Sequence, residues 1–142
     1  MGHTPLVKFQ PKGFPNVDIF LKNETASKTN TLKHRFAWAL YMWAVVDGKI
    51  NSKSTVYDST TGNSGASQAY ICGLLGLPFT AVVSKDLEKE KVEHIISNGG
   101  KILKVDVALR NFHAKNEAEK TGGFFMNQFA NALFAEEFYE SV

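Results

Sequence analysis

An α/β fold, with a mostly parallel sheet and helices on both faces, is what this sequence predicts, and three observations carry the prediction. Segments of strand character and of helix character alternate regularly from about residue 55 to residue 126, the pattern of strands joined by crossover helices. The run Phe79-Thr80-Ala81-Val82-Val83 reads as a strand buried on both faces, as parallel sheets require. With 142 residues, 44% of them hydrophobic, the chain is long enough for one α/β unit over 1–142. A chain of this size buries roughly 68 to 70% of the surface exposed when it is unfolded.

The elements follow in order. Residues 17–21 read as a strand, and Thr29 and Thr31 place hydroxyls where a helix N-cap belongs. A helix is expected over 32–46. From Phe36 to Val46 it is apolar on every face, which predicts a helix enclosed by protein, stopped by Gly48. Thr55-Val56-Tyr57 is a short strand that runs into the turn Gly62-Asn63-Ser64-Gly65. A second helix then reaches Leu75, where Gly76 and Pro78 end it.

After the 79–83 strand, 85–97 has the pattern of an amphipathic helix. Leu87, Val92, Ile95 and Ile96 face inward, and the charged run from Lys85 to Glu93 forms its solvated side. Asn98-Gly99-Gly100 is a turn and Ile102-Leu103-Lys104-Val105 a strand. A helix over 108–120 is broken by Gly122-Gly123, and Phe124-Phe125-Met126 is the last strand.

Composition narrows the function classes. A net charge of +2 gives no footprint for nucleic acid or an anionic membrane. No segment reaches the roughly 18 consecutive apolar residues of a membrane span, and the start lacks a charged leader ahead of an apolar run. The single cysteine, Cys72, lies in an apolar stretch and reads as a buried structural thiol in a reducing, cytoplasmic setting. His3, His34, His94 and His113 are scattered without ligand spacing, so no metal site is expected.

In open α/β sheets, ligands sit beyond the carboxyl ends of the strands, and the loop from Thr60 to Gly65 occupies such an end. Its hydroxyls, its amide side chain and its backbone N–H groups converge at a helix start, which suits a carboxylate or phosphate. The glycine spacing is neither that of a dinucleotide fingerprint nor that of a P-loop. An ordinary capped strand-to-helix turn has the same composition, so both readings stand on the residues alone. Lys33, near the N-terminus of an apolar helix, would feel the positive end of the helix dipole and, if buried, would be favoured as the free amine, ready to bond a carbonyl carbon. A lysine whose stem snorkels to water is the alternative.

Three segments together carry a family resemblance: Gly2-His3-Thr4-Pro5-Leu6-Val7, then Thr31-Leu32-Lys33-His34-Arg35, and about thirty residues later Ser59-Thr60-Thr61-Gly62-Asn63-Ser64-Gly65. In order and spacing the chain resembles, over nearly its whole length, the fold-type II pyridoxal-phosphate (PLP) enzymes that include cysteine synthase and cystathionine β-synthase. The resemblance implies part of a fold like that of the tryptophan synthase β-subunit, with 1–142 as its N-terminal part. It implies PLP as cofactor, held by Lys33, with Asn63 on the cofactor's ring hydroxyl. Thr60, Thr61, Gly62 and Ser64 would grip the carboxylate of a small amino-acid substrate, and Gln128, in Asn127-Gln128-Phe129, would contact it too.

The departures are informative. Thr29-Asn30 stands where the family has Gly-Gly, and Ala130-Asn131-Ala132-Leu133 where Asn-Pro-Ala-Asn is usual. His34, the Tyr41-Met42-Trp43 region and the stretch from Gly122 to Phe129 look closer to the bacterial L-cysteine desulfhydrase branch. The implied reaction is therefore β-elimination on L-cysteine or a related β-substituted amino acid, with β-replacement as the other outcome. The family's Gly-rich phosphate loop and the residue that faces the pyridine nitrogen have no counterpart before Val142, so weak cofactor binding and little turnover are expected of this chain alone. The other expectation is a non-catalytic fragment that serves as a binding or interaction module, which a homodimer through its apolar surface would complete.

Overall fold

The computed structural model describes residues 2–139. The strands are β1 (Leu6–Phe9), β2 (Ile19–Lys22), β3 (Val56–Ser59), β4 (Phe79–Ser84), β5 (Lys101–Val105) and β6 (Phe124–Phe125). The helices are α1 (Lys33–Val46), α2 (Asn63–Leu75), α3 (Lys89–Ser97), α4 (Arg110–Thr121) and α5 (Ala132–Glu136). Among these helices none is long and apolar enough to cross a membrane.

Strand side chains alternate between faces, so the central sheet carries two surfaces. On one, Val56, Phe79, Ala81 and Val83 join the core built with Ala37, Leu40 and Tyr41 of α1 and Ala66, Ala69 and Cys72 of α2. On the other, Val82 and Val105 pack with Ala114 of α4, flanked by Leu103 and Phe125. Helices therefore cover both faces, as the sequence predicts.

The sheet order is β5-β4-β3-β6, and every neighbouring pair is parallel. The chain steps outward from β3 through β4 to β5 and then returns to place β6 on the other side of β3. That reversal opens a crevice between the carboxyl ends of β3 and β6, the position where such sheets bind ligands. β1 and β2 form a separate antiparallel hairpin, with Leu6 opposite Lys22 and Phe9 opposite Ile19.

Several expectations shift. Helix α3 begins at Lys89 rather than at residue 85, because Lys85 N–H still bonds Val105 O (2.9 Å) and so prolongs the β4–β5 ladder. Ile95 is fully buried, but Ile96 turns outward. Helix α1 is not enclosed all round: Ala37, Leu40, Tyr41 and Ala44 are buried, whereas Met42, Val45 and Val46 are exposed. Strand β1 and helix α5 were not anticipated; α5 docks on α1 by stacking Phe134 on Trp43 at 5.3 Å.

Candidate active site

Between Ser59 and Asn63 the chain must reverse from β3 into α2. Thr60 braces the turn: its fully buried hydroxyl accepts from the N–H groups of Gly62 (3.2 Å) and Gly65 (3.0 Å), satisfying amides that a helix start leaves without partners. Gly62 has φ +133°, and a Cβ there would lie 2.9 Å from Lys91 Cδ. Helix α4 pins the turn from the other side, because Arg110 Nη1 donates to Thr60 O (3.0 Å) and Ser59 Oγ donates to Asn111 Oδ1.

A second turn follows β6. Met126 N–H continues the pairing to Tyr57 O (2.8 Å), and Asn127 then adopts φ +47°, a left-handed conformation that asparagine tolerates. This reversal carries Gln128 to the end of β3. Its Nε2 donates to Ser59 O (2.6 Å), and its Oε1 accepts from Ser64 Oγ (2.5 Å). Two residues 64 positions apart thus become one hydrogen-bonded pair at the crevice.

Beneath them lies Asp58, 1% exposed, which the sequence reading did not single out. Its Oδ1 accepts from Ser59 N–H (2.9 Å) and Gln128 N–H (3.5 Å), and its Oδ2 from Gln68 Nε2 (2.6 Å). Burial pushes its carboxyl up to about 7, although Gln68 and the backbone amides of Gln128, Ser59 and Asn127 pull it down. A carboxylate directly after Val56-Tyr57 on the strand, two residues before the Thr60 to Gly65 loop, was the available signal.

Lys33 opens α1, its N–H donating to Thr31 Oγ1 (3.3 Å), so Thr31 supplies the hydroxyl expected at this helix start. Thr29 instead links His34 Nδ1 (3.0 Å) to Ser67 Oγ (2.8 Å). Burial lowers the tendency of His34 to take a proton and keeps it neutral. Of the two readings of Lys33, the structure has the one that reaches water: its side chain is exposed, on the wall of an open cleft. Cys72 is fully buried, and burial pushes its thiol up to about 12, which suits an inert structural role.

The cleft measures about 500 Å³. Lys33, Thr61, Asn63, Ser64 and Gln128 all line it, together with Lys91 and the apolar Leu32, Phe36 and Phe129. Thr60 and Gly62, also expected at the site, lie behind its wall as buried supports of the turn. Lys91, on α3, is a cleft residue that the sequence reading assigned only to a solvated face. Among the described residues, two lysines and no carboxylate face the cavity, at the N-terminal end of α2. The set offers an amine, an amide, hydroxyls and apolar walls within the usual size range of a ligand pocket, and so fits an anionic aromatic cofactor beside a small acid.

Comparison with known proteins gives a consistent picture. A family model described as "Pyridoxal-phosphate dependent enzyme" matches residues 1–142. A Caenorhabditis elegans protein, named for pyridoxal-phosphate dependence, is 64% identical over 142 residues, which are 99% of this chain and 33% of that protein. The L-cysteine desulfhydrase of Mycobacterium tuberculosis is 38% identical over 118 residues, covering 82% of this chain and 32% of the enzyme. The crystal structure of O-ureido-L-serine synthase superposes with a TM-score of 0.85 at 28% identity, covering 96% of this chain and 45% of that one. The chain thus spans a third to somewhat under half of the length of these relatives.

Proposed function

The chain belongs to the pyridoxal-phosphate dependent enzyme family, and from that premise we propose that its cleft holds PLP at Lys33 and serves β-elimination on L-cysteine or a related β-substituted amino acid. The observation that carries the proposal is the convergence of Lys33, Asn63, Thr61, Ser64 and Gln128 on one cleft that, among the described residues, holds two lysines and no carboxylate. Elimination is favoured by the likeness to the L-cysteine desulfhydrase; the likeness to O-ureido-L-serine synthase makes β-replacement the second outcome.

When bound, PLP supplies an electron sink for the negative charge that develops at the substrate α-carbon. The rest is work for the chain's own residues. Lys33 Nζ holds the cofactor and, once released, takes the α-proton as general base. The Asn63 amide orients the ring hydroxyl. Thr61 and Ser64 hydroxyls, the Gln128 amide and the amides at the start of α2 hold the substrate carboxylate, so that the α-hydrogen faces Lys33. Thr60 and Gly62 shape the turn that presents those groups. Leu32, Phe36 and Phe129 give the cleft apolar wall beside these groups, against which the cofactor's ring would lie. The setting that fits this chemistry is the cytoplasm.

Incubation with PLP, borohydride reduction and peptide mass spectrometry test the assignment. The pyridoxyl group is expected on Lys33 and absent from that peptide in Lys33→Ala. Label scattered over surface lysines, or none, would overturn it. Little turnover is expected of this chain alone; with L-cysteine supplied, any sulfide and pyruvate formed together mark elimination.

A further inference from the structure

Asp58 holds a place that the chemistry above does not use. Every group that hydrogen-bonds it is a donor: the Ser59 and Gln128 N–H groups on Oδ1, the Gln68 amide on Oδ2, and the nearby Asn127 backbone amide. Such a set fits an acceptor-only carboxylate. Two of the donors are also handles on the cleft. One is the backbone N–H of Gln128 itself. The other, Gln68 Nε2, reaches Ser64 Oγ as well (3.3 Å), and Ser64 in turn donates to Gln128 Oε1. Asp58, Gln68, Ser64 and Gln128 therefore form a closed ring of hydrogen bonds joining β3, α2 and the turn after β6.

We propose that Asp58 is the positioning residue for the carboxylate-binding side of the cleft, holding Gln128 and Ser64 in the orientation that receives a substrate carboxylate. The proposal rests on the reading of the cleft given above. Asp58 does not touch the substrate; it acts through the two groups that do.

The same ring makes the site sensitive to pH. With its carboxyl pushed up to about 7, Asp58 exists in both forms near neutrality. The titratable groups facing its cluster are Tyr41 of α1, whose hydroxyl donates to Gln68 Oε1 (3.4 Å), and Cys72 of α2, whose thiol meets Tyr41 at 3.1 Å. Burial raises both away from neutrality, while β4 presents Ala81 and the turn after β6 presents amides. Once Asp58 is protonated, one oxygen carries a hydrogen toward a donor, so either the Gln68 amide or the 127–128 turn must rearrange.

The test is NMR on the full chain, following the Gln128 and Ser64 resonances while L-alanine, an amino acid without a leaving group, is titrated in on either side of pH 7. In the wild type, the Gln128 backbone resonance should move with a midpoint near 7, and L-alanine should bind about tenfold more weakly on the acid side. Asp58→Asn should abolish that midpoint and bind weakly at both pH values. L-alanine binding Asp58→Asn with wild-type affinity and pH dependence would overturn the role of Asp58 alone. If L-alanine moves neither resonance in the wild type, the carboxylate reading fails and takes this proposal with it. Should Asp58→Asn not fold, the wild type decides: an affinity unchanged across the midpoint of the Gln128 resonance overturns the proposal.

Discussion

Arg35 ties the start of the chain to α1. Only 5% of its side chain is exposed, and it donates to both Glu24 oxygens (3.2 and 3.1 Å) and, at 3.4 Å, to Thr4 Oγ1. Its hydrogen bonds, then that from Thr4, hold the Glu24 carboxyl below the usual glutamate range. This contribution is present above that range and is lost as pH falls through the depressed value. Arg35→Met keeps the stem but strands Glu24, and should cost about 3 kcal/mol in urea unfolding, with a shallower loss of stability in acid. Asp58 has the opposite sign. Its folded value is raised from 3.8 to about 7, so the folded state gives up stability as pH rises across that window, on the order of 4 kcal/mol in all. Asp58→Asn should remove that slope, as read from the difference between the two unfolding free energies at several pH values. Buried, neutral His34 works against it, since acid must charge the ring in the unfolded chain first.

At the scale of elements, the turn from β3 into α2 was the most legible part of the fold and of the site. Its glycines, hydroxyls and amide act within a few residues of one another, and local chemistry of that kind is written in local sequence. A Cβ on Gly65 would lie 2.7 Å from Thr60 Cγ2 and 3.1 Å from Ile95 Cδ1. Gly65→Ala should therefore cost about 1 to 3 kcal/mol and loosen the hold of Thr60 on the helix start, read as a lower urea midpoint and faster hydrogen exchange at Gly62. Helix α1 was legible in position but not in environment: its run of apolar residues promised enclosure, yet Met42, Val45 and Val46 stand in the open. For Lys33 the place at the helix start was readable, while the choice between a buried amine and one that reaches water was not.

At the scale of the molecule, the β1–β2 hairpin presents a face that the described residues leave exposed. Val7, Phe9, Ile19 and Leu21 share one side of the ribbon and are 46%, 50%, 36% and 51% exposed. A contiguous apolar surface of this kind favours self-association. Sedimentation velocity should show mass rising with concentration, and Phe9→Lys or Leu21→Lys should suppress it without changing far-UV circular dichroism. A monomer at every concentration would contradict this. Periodicity and turn chemistry within the sequence determined the α/β class, the positions of most helices and central strands, and the polar loop at a strand end, because each depends on neighbours a few residues away. Only the tertiary structure decided the reversal of strand order that places β6 beside β3, the inward aim of Thr60, and the buried ring that joins Asp58 to Gln128. Those are contacts between residues up to 70 positions apart, where a residue's role is set by which strand lies next to it rather than by its own type.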